Sequence, residues 1–315
     1  MASSKFNLPT HFRDWNASFA PSSLKSGERS RAKTPLWKRP LFLGIAGAVV
    51  IILVIVIAVP LAVLLPKKKH RESSTILLPL YIYPKDNATW SPLFDTLQAR
   101  PELNYTIIIN PSSGPGNASG PDNAYSAALK QLSTYPNVQK IGYVRTGYAT
   151  RNLSDVVSEV NKYSAWAAQD QAFEMDGIFF DESPHQYSQN AVDFMLSATR
   201  TVKSASGIQG QKTVVRNPGV IPDPRFSDAN TDITVVFEES YTQYAALQLD
   251  LAALKDGRAH HCYMVHSVPS MSLEQLRQFT RDLSKRAQYL FVTNNSDNIY
   301  ESFGSDWANF TQAMP

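Results

Sequence analysis

Cysteine is nearly missing from this sequence. Its one instance, Cys262, excludes any disulfide within the chain. Cys262 stands in the apolar run Cys-Tyr-Met-Val, which marks it as a packing residue rather than a reactive thiol. A chain without disulfides is usual in reducing compartments, yet a domain of this size builds its core without such staples. No Gly-rich turn follows the first apolar run, where Tyr83-Pro84-Lys85 stands instead, and this argues against a doubly wound dinucleotide fold. The loop Pro111-Ser112-Ser113-Gly114-Pro115-Gly116 lacks the Gly-Lys-Ser/Thr end of a phosphate loop, and no Gly-x-Ser-x-Gly elbow supports a serine hydrolase. His260, His261, Cys262 and His266 stand close together, but strand alternation splits them between two faces. No metal site and no other cofactor is expected.

Basic charge is scarce outside the N-terminal quarter. Residues 1–71 carry 12 of the 30 Lys/Arg and 2 of the 27 Asp/Glu, which leaves 18 basic against 25 acidic side chains, a balance of −7, in residues 72–315. Nucleic-acid binding needs a Lys/Arg excess to neutralise phosphates, so the acidic main domain argues against that class of partner.

The stretch Leu41–Leu65 has no charged residue in 25 positions, longer than the roughly 20 that cross a bilayer's hydrocarbon core. A signal peptide would have a shorter apolar region nearer the N-terminus and a small-residue cleavage site. Here 40 residues precede the run, and Pro66-Lys67-Lys68-Lys69 follows it. The expected organisation is therefore a disordered basic cytosolic tail (1–40), an uncleaved transmembrane helix in a lipid bilayer (41–66), a stalk (67–75) and one folded domain (76–315). Lys25, Arg29, Arg31, Lys33, Lys38 and Arg39 before the span outnumber Lys67, Lys68, Lys69 and Arg71 after it, which orients the N-terminus to the cytosol. Glycosylation sequons at Asn87, Asn104, Asn117, Asn152, Asn294 and Asn309, against a single one before the span at Asn16, place the main domain in a lumen or outside the cell.

Past the stalk, short continuous apolar runs recur at Ile76–Tyr83, Tyr105–Asn110, Lys140–Val144, Gly177–Asp181, Thr213–Asn217, Ile233–Glu238, Cys262–His266 and Tyr289–Thr293. Such runs suit strands covered on both faces, as in parallel sheets. Helix-like segments separate them at Trp90–Ala99, Asn123–Tyr135, Leu153–Gln169, Ser188–Ser206, Tyr241–Leu254, Ser272–Arg286 and Asp306–Met314, with only a weak helix around Pro224–Ala229. Eight such units of roughly 30 residues predict an α/β fold of the (β/α)8 TIM-barrel type.

In such a barrel, catalytic groups collect at the C-terminal ends of the strands. Those ends carry Tyr83, Asn110, Arg145 to Tyr148, Asp181-Glu182, Asn217, Glu238-Glu239, His266 and Thr293-Asn294. Polar groups mark any strand exit. The two acidic doublets exceed that expectation, because each directly abuts a hydrophobic run, in Gly-Ile-Phe-Phe-Asp-Glu and Thr-Val-Val-Phe-Glu-Glu. Carboxylates gathered beside apolar walls acquire different proton affinities, one staying protonated while another stays ionised. Glycosidic cleavage needs that combination. Tyr83, Tyr148, Tyr187 and Tyr241 are aromatic candidates for stacking on sugar rings. The plainer alternative makes the acids helix N-terminal groups, or ion-pair partners of Arg145 and Arg216.

The segments LLPLYIYP (77–84), TIIINPSSGPG (106–116), IGYVRTGYATR (141–151), DGIFFDE (176–182), VVRNPG (214–219), VVFEESY (235–241), YMVHSVP (263–269), YLFVTN (289–294) and YESFGSDW (300–307) closely resemble the spherulin-4 family, also called spherulation-specific family 4, which includes glycoside hydrolase family 135. The resemblance runs from about Leu77 to Met314 and leaves the tail and the apolar span outside. It implies a (β/α)8 fold and endo-acting hydrolysis of a galactosamine/N-acetylgalactosamine polysaccharide of cell walls and biofilms. It also maps the family's acids onto Asp181, Glu182 and Glu238, with Glu239 as competitor to Glu238. On this basis Glu182 is expected as general acid, and Glu238 as nucleophile or water activator. Asp181 would orient the sugar or its 2-acetamido group. Tyr83, Asn110, Arg145, Tyr148, Asn217, Glu239, Tyr241 and His266 would line the substrate groove. A non-catalytic carbohydrate-binding barrel at the cell surface is the competing reading.

Overall fold

The computed structural model describes residues 73–254 and 257–315. The expected tail, the apolar span at 41–66 and the stalk up to residue 72 lie outside the described residues, as does Asn16. Among the described residues no helix is long and apolar enough to cross a membrane.

Eight parallel strands close into a barrel in chain order: β1 (Thr75–Leu80), β2 (Asn104–Ile109), β3 (Val138–Arg145), β4 (Met175–Asp181), β5 (Ile208–Arg216), β6 (Ile233–Ser240), β7 (His261–His266) and β8 (Tyr289–Val292). The pairs Thr75 with Tyr289 and Ile76 with Leu290 join the last strand to the first. Consecutive residues of one strand face the barrel interior and the surrounding helices in turn. Both environments are apolar, so Ile76, Leu77, Leu78 and Leu80 are all buried. The unbroken apolar runs of the sequence follow from that double coverage.

Among the described residues, seven helices wrap the sheet: α1 (Ser91–Ala99), α2 (Asn123–Leu132), α3 (Leu153–Trp166), α4 (Gln189–Ser204), α5 (Tyr241–Ala252), α6 (Leu273–Ser284) and α7 (Trp307–Ala313). The starts of α2, α4, α5 and α6 are fixed by side chains that satisfy free backbone N–H groups. Asp122 accepts from Tyr125 N, Ser188 from Ala191 N and Ser240 from Gln243 N, and Ser272 with Gln275 forms a reciprocal capping box. Val156, Val160 and Tyr163 form the helical-spacing stripe by which α3 buries itself against the barrel. Between β5 and β6 the weak helix expected around Pro224–Ala229 is reduced to a single 3-10 turn, Pro224–Phe226. Pro218, Pro222 and Pro224 lack the N–H groups that a longer helix would need there.

Strand ends differ from expectation where loop chemistry takes over. β1 stops at Leu80 rather than Tyr83, and the carbonyl of Ile82 accepts from the Trp90 indole instead of continuing the ladder. β4 and β5 approach so closely that a Cβ on Gly177 would lie 2.0 Å from the carbonyl oxygen of Thr213. Only glycine fits at that crossing.

Candidate active site

The strand ends bring Asp181, Glu182 and Glu238 to one mouth of the barrel. Asp181 is the last residue of β4, and its carboxylate accepts from two donors. Tyr143 of β3 gives its hydroxyl to Oδ2 at 2.7 Å, and Asn217, just past β5, gives Nδ2 to Oδ1 at 2.9 Å. The same Asn217 Nδ2 lies 2.5 Å from Glu238 Oε2 on β6. Two carboxylate oxygens held at 2.9 and 2.5 Å from one nitrogen can be no further apart than the two lengths combined, 5.4 Å. Asp181 and Glu238, distant in sequence, therefore form a close acid pair clamped by a buried amide.

The second oxygen of Glu238, Oε1, accepts a short hydrogen bond from the Tyr300 hydroxyl, delivered by the loop after β8. Burial raises the Glu238 proton affinity above the ordinary carboxylate range. The Asp181 and Glu239 charges push the same way, whereas the bonds from Tyr300 and Asn217 oppose the shift without cancelling it.

Glu182 reaches the same mouth through an irregular backbone. Simple alternation would turn it away from Asp181, but its φ of +49° breaks the strand geometry. Thr146 Oγ1 donates to the carbonyls of both Asp181 and Glu182, and the Tyr148 amide donates to the Glu182 carbonyl at 2.6 Å, so the turn is clamped from β3's exit loop. Glu182 Oε2 then sits 3.0 Å from Arg145 Nε. Tyr143 and Arg145, two apart on β3, thus engage Asp181 and Glu182 respectively. Tyr148 is itself in a left-handed conformation and is 55% exposed. Its hydroxyl has a raised pKa, from desolvation first and then from the Glu182, Asp181 and Glu238 charges.

The other residues expected in the groove divide between mouth and wall. Asn217 is in the acid cluster, as a clamp. His266 lies at the mouth beside Glu239, with Nε2 3.9 Å from Glu239 Oε2 and Nδ1 against Ser267 Oγ at 2.9 Å. Glu239 is more exposed than Glu238, and its carboxylate accepts from its neighbour's amide, Ser240 N. Asn110 braces the loop Pro111–Gly116 by accepting from Gly114 N at 2.9 Å. Tyr83 packs edge-on against Tyr125 and donates to Asp122 at the start of α2. Tyr241 opens α5 and packs on Phe279 of α6, and the Tyr187 ring is covered by the Arg225 guanidinium at 3.4 Å. Arg216 is buried, donating to Phe226 O, and Cys262 is fully buried. Tyr81, Tyr143 and Tyr300 are site residues that the sequence reading did not single out. Tyr81 stacks edge-on against both of the others, each at 5.4 Å. Residue parity on β3 points to Tyr143, which shares a face with Arg145, whereas no local spacing signals Tyr300.

Among the sequons, Asn87, Asn104, Asn117, Asn152 and Asn309 are exposed. Asn294 is different: its Nδ2 donates to Ser305 Oγ at 2.7 Å and its Oδ1 is buried. Among the described residues, no group of three or more His, Cys, Asp or Glu side chains is arranged to hold a metal ion.

Comparison with known proteins places this arrangement in context. The family model described as spherulation-specific family 4 matches residues 75–314. Spherulin-4 of Physarum polycephalum is 31% identical over 169 residues, which is 54% of this chain and 46% of that relative, so the match spans about half the length of the relative. The crystal structure of Aspergillus clavatus Sph3, solved in complex with GalNAc, superposes with a TM-score of 0.73 at 36% identity, over 77% of this chain and 97% of that one.

Proposed function

The chain belongs to spherulation-specific family 4, and from that premise we propose that its barrel is a glycoside hydrolase acting within a galactosamine/N-acetylgalactosamine polysaccharide. The observation that carries the reading is the acid cluster. Asp181 and Glu238 share one amide donor, and Glu182 stands at the same mouth against Arg145. The GalNAc complex of Aspergillus clavatus Sph3 supports a hexosamine as the sugar recognised.

The surroundings of each acid suggest its part. Glu238 is the group whose burial favours a bound proton, so in this reading it protonates the leaving oxygen. Glu182, complemented by the Arg145 guanidinium, takes the nucleophilic or water-activating part. This exchanges the parts that the family resemblance leads one to expect of these two residues. Asp181, fixed by Tyr143 and Asn217, orients the 2-acetamido group of the substrate. Asp181 Oδ1 and Glu238 Oε2 lie no more than 5.4 Å apart, so the carboxylate that orients the 2-acetamido group stands beside the acid. That closeness suits substrate assistance. The proposal extends to location: residues 41–66 anchor the chain with its N-terminus cytosolic and the barrel lumenal or extracellular. The five exposed sequons are compatible with this, and protease protection together with a mass shift on deglycosylation tests it.

The purified chain, incubated with galactosamine-rich polymer, is expected to generate new reducing ends. Glu182→Gln and Glu238→Gln should each lower turnover by roughly 100-fold or more while binding persists. Polymer binding without any new reducing ends would make the barrel a carbohydrate tether instead. Near-normal turnover in both variants would remove the acids from the chemistry.

A further inference from the structure

Tyr300 reaches Glu238 from a loop that plays no part in the acid motifs. Its hydroxyl donates to Glu238 Oε1, while Asn217 holds Oε2. The ring is gripped from two sides, edge-on to Tyr81 at 5.4 Å and tilted against Phe291 at 5.8 Å. Packing therefore aims the hydroxyl. Burial first, and the Glu238 charge second, raise the Tyr300 pKa well above the ordinary phenol value, so it remains a donor at any working pH.

Resting on the hydrolase reading, we infer that Tyr300 is a positioning residue that fixes Glu238 in one rotamer and sets the pH at which Glu238 gives up its proton. The titratable groups around Glu238 are Asp181 on β4, Glu239 on β6, Cys262 on β7, Tyr81 after β1, Tyr148 after β3 and Tyr300 after β8. Of these, Tyr300 is the one whose hydrogen bond goes directly to the Glu238 carboxylate, with Asn217 as the neutral partner on the other oxygen. A donated hydrogen bond stabilises the ionised carboxylate, so its loss makes Glu238 hold its proton to higher pH.

The test is the pH–rate profile of Tyr300→Phe, which keeps both ring contacts and removes one oxygen. As Glu238 is the acid in this reading, the alkaline limb should move up by about one pH unit. At the same time kcat should fall by about tenfold or more through lost alignment, with KM little changed. Replacing residue 300 with 3-fluorotyrosine, a stronger donor of nearly the same shape, should move the limb in the opposite direction. A purely structural role predicts an unmoved limb in both variants, and that result, or a downward shift in Tyr300→Phe, overturns the inference. Failure of the underlying reading looks different: Glu238→Gln would then retain turnover whatever Tyr300 does.

Discussion

Glu238→Gln should make the folded protein more stable at neutral pH while lowering its turnover by roughly 100-fold or more. Two carboxylates no more than 5.4 Å apart repel each other by about 3 kcal/mol when both are ionised, at an effective dielectric near 20. Asn217 and Tyr300 offset part of that cost but leave the Glu238 proton affinity raised. A carboxyl that binds its proton more tightly folded than unfolded makes stability fall as pH climbs from its ordinary value of 4.5 through the raised folded value. Below both values the contribution is fully present, and above both it is fully lost. Glutamine removes the charge and fits the same partners, its oxygen accepting from Asn217 and its amide donating to the Tyr300 oxygen. After some loss of hydrogen-bond strength, the variant should gain about 1–2 kcal/mol at pH 7, or roughly 2–6 °C in Tm for a domain of this size. The gain should shrink toward zero as the pH approaches 4.5. Thermal unfolding of both proteins across this range, followed by calorimetry, reads the difference directly. A variant that melts below the parent at pH 7, or an offset independent of pH, would refute the electrostatic account of the pair.

Two further outcomes test the barrel itself. Gly177→Ala should cost about 3 kcal/mol or more in urea unfolding, because the added methyl meets backbone rather than a yielding side chain; a change under about 0.5 kcal/mol would mean that β4 and β5 are not packed in this register. The Cys262 thiol is fully buried and its pKa is pushed well above the ordinary range, so a thiolate-directed reagent at pH 8 should label it only as fast as the protein opens. Immediate labelling in native buffer would contradict its burial.

The fold was legible because a doubly covered parallel sheet leaves a plain mark. Val214 and Val215, or Phe179 and Phe180, are adjacent residues that both need to be apolar. The places where reading failed are those where a single side chain or a proline overrides periodicity. Trp90 draws the Ile82 carbonyl out of β1, and three prolines shorten the helix after β5 to one turn. The acids were legible as doublets, since charge directly beside a buried run is costly unless it faces an opening. Their aromatic company was not. Tyr83, Tyr187 and Tyr241 sit near strand ends in sequence, yet what each ring faces depends on partners such as Tyr125, Arg225 and Phe279 that no local pattern names. Tyr300, 62 residues from Glu238, meets it only because the barrel closes.

The left-handed turn at Glu182 gives position 182 two opposing demands. Its backbone asks for glycine, which adopts a φ of +49° without steric penalty, whereas its place beside Arg145 asks for a long carboxylate. A glycine there would relax the chain by about 1 kcal/mol and leave the guanidinium facing an empty mouth. Position 182 therefore trades backbone ease for charge: the ion pair with Arg145 is what a relaxed turn there would forfeit.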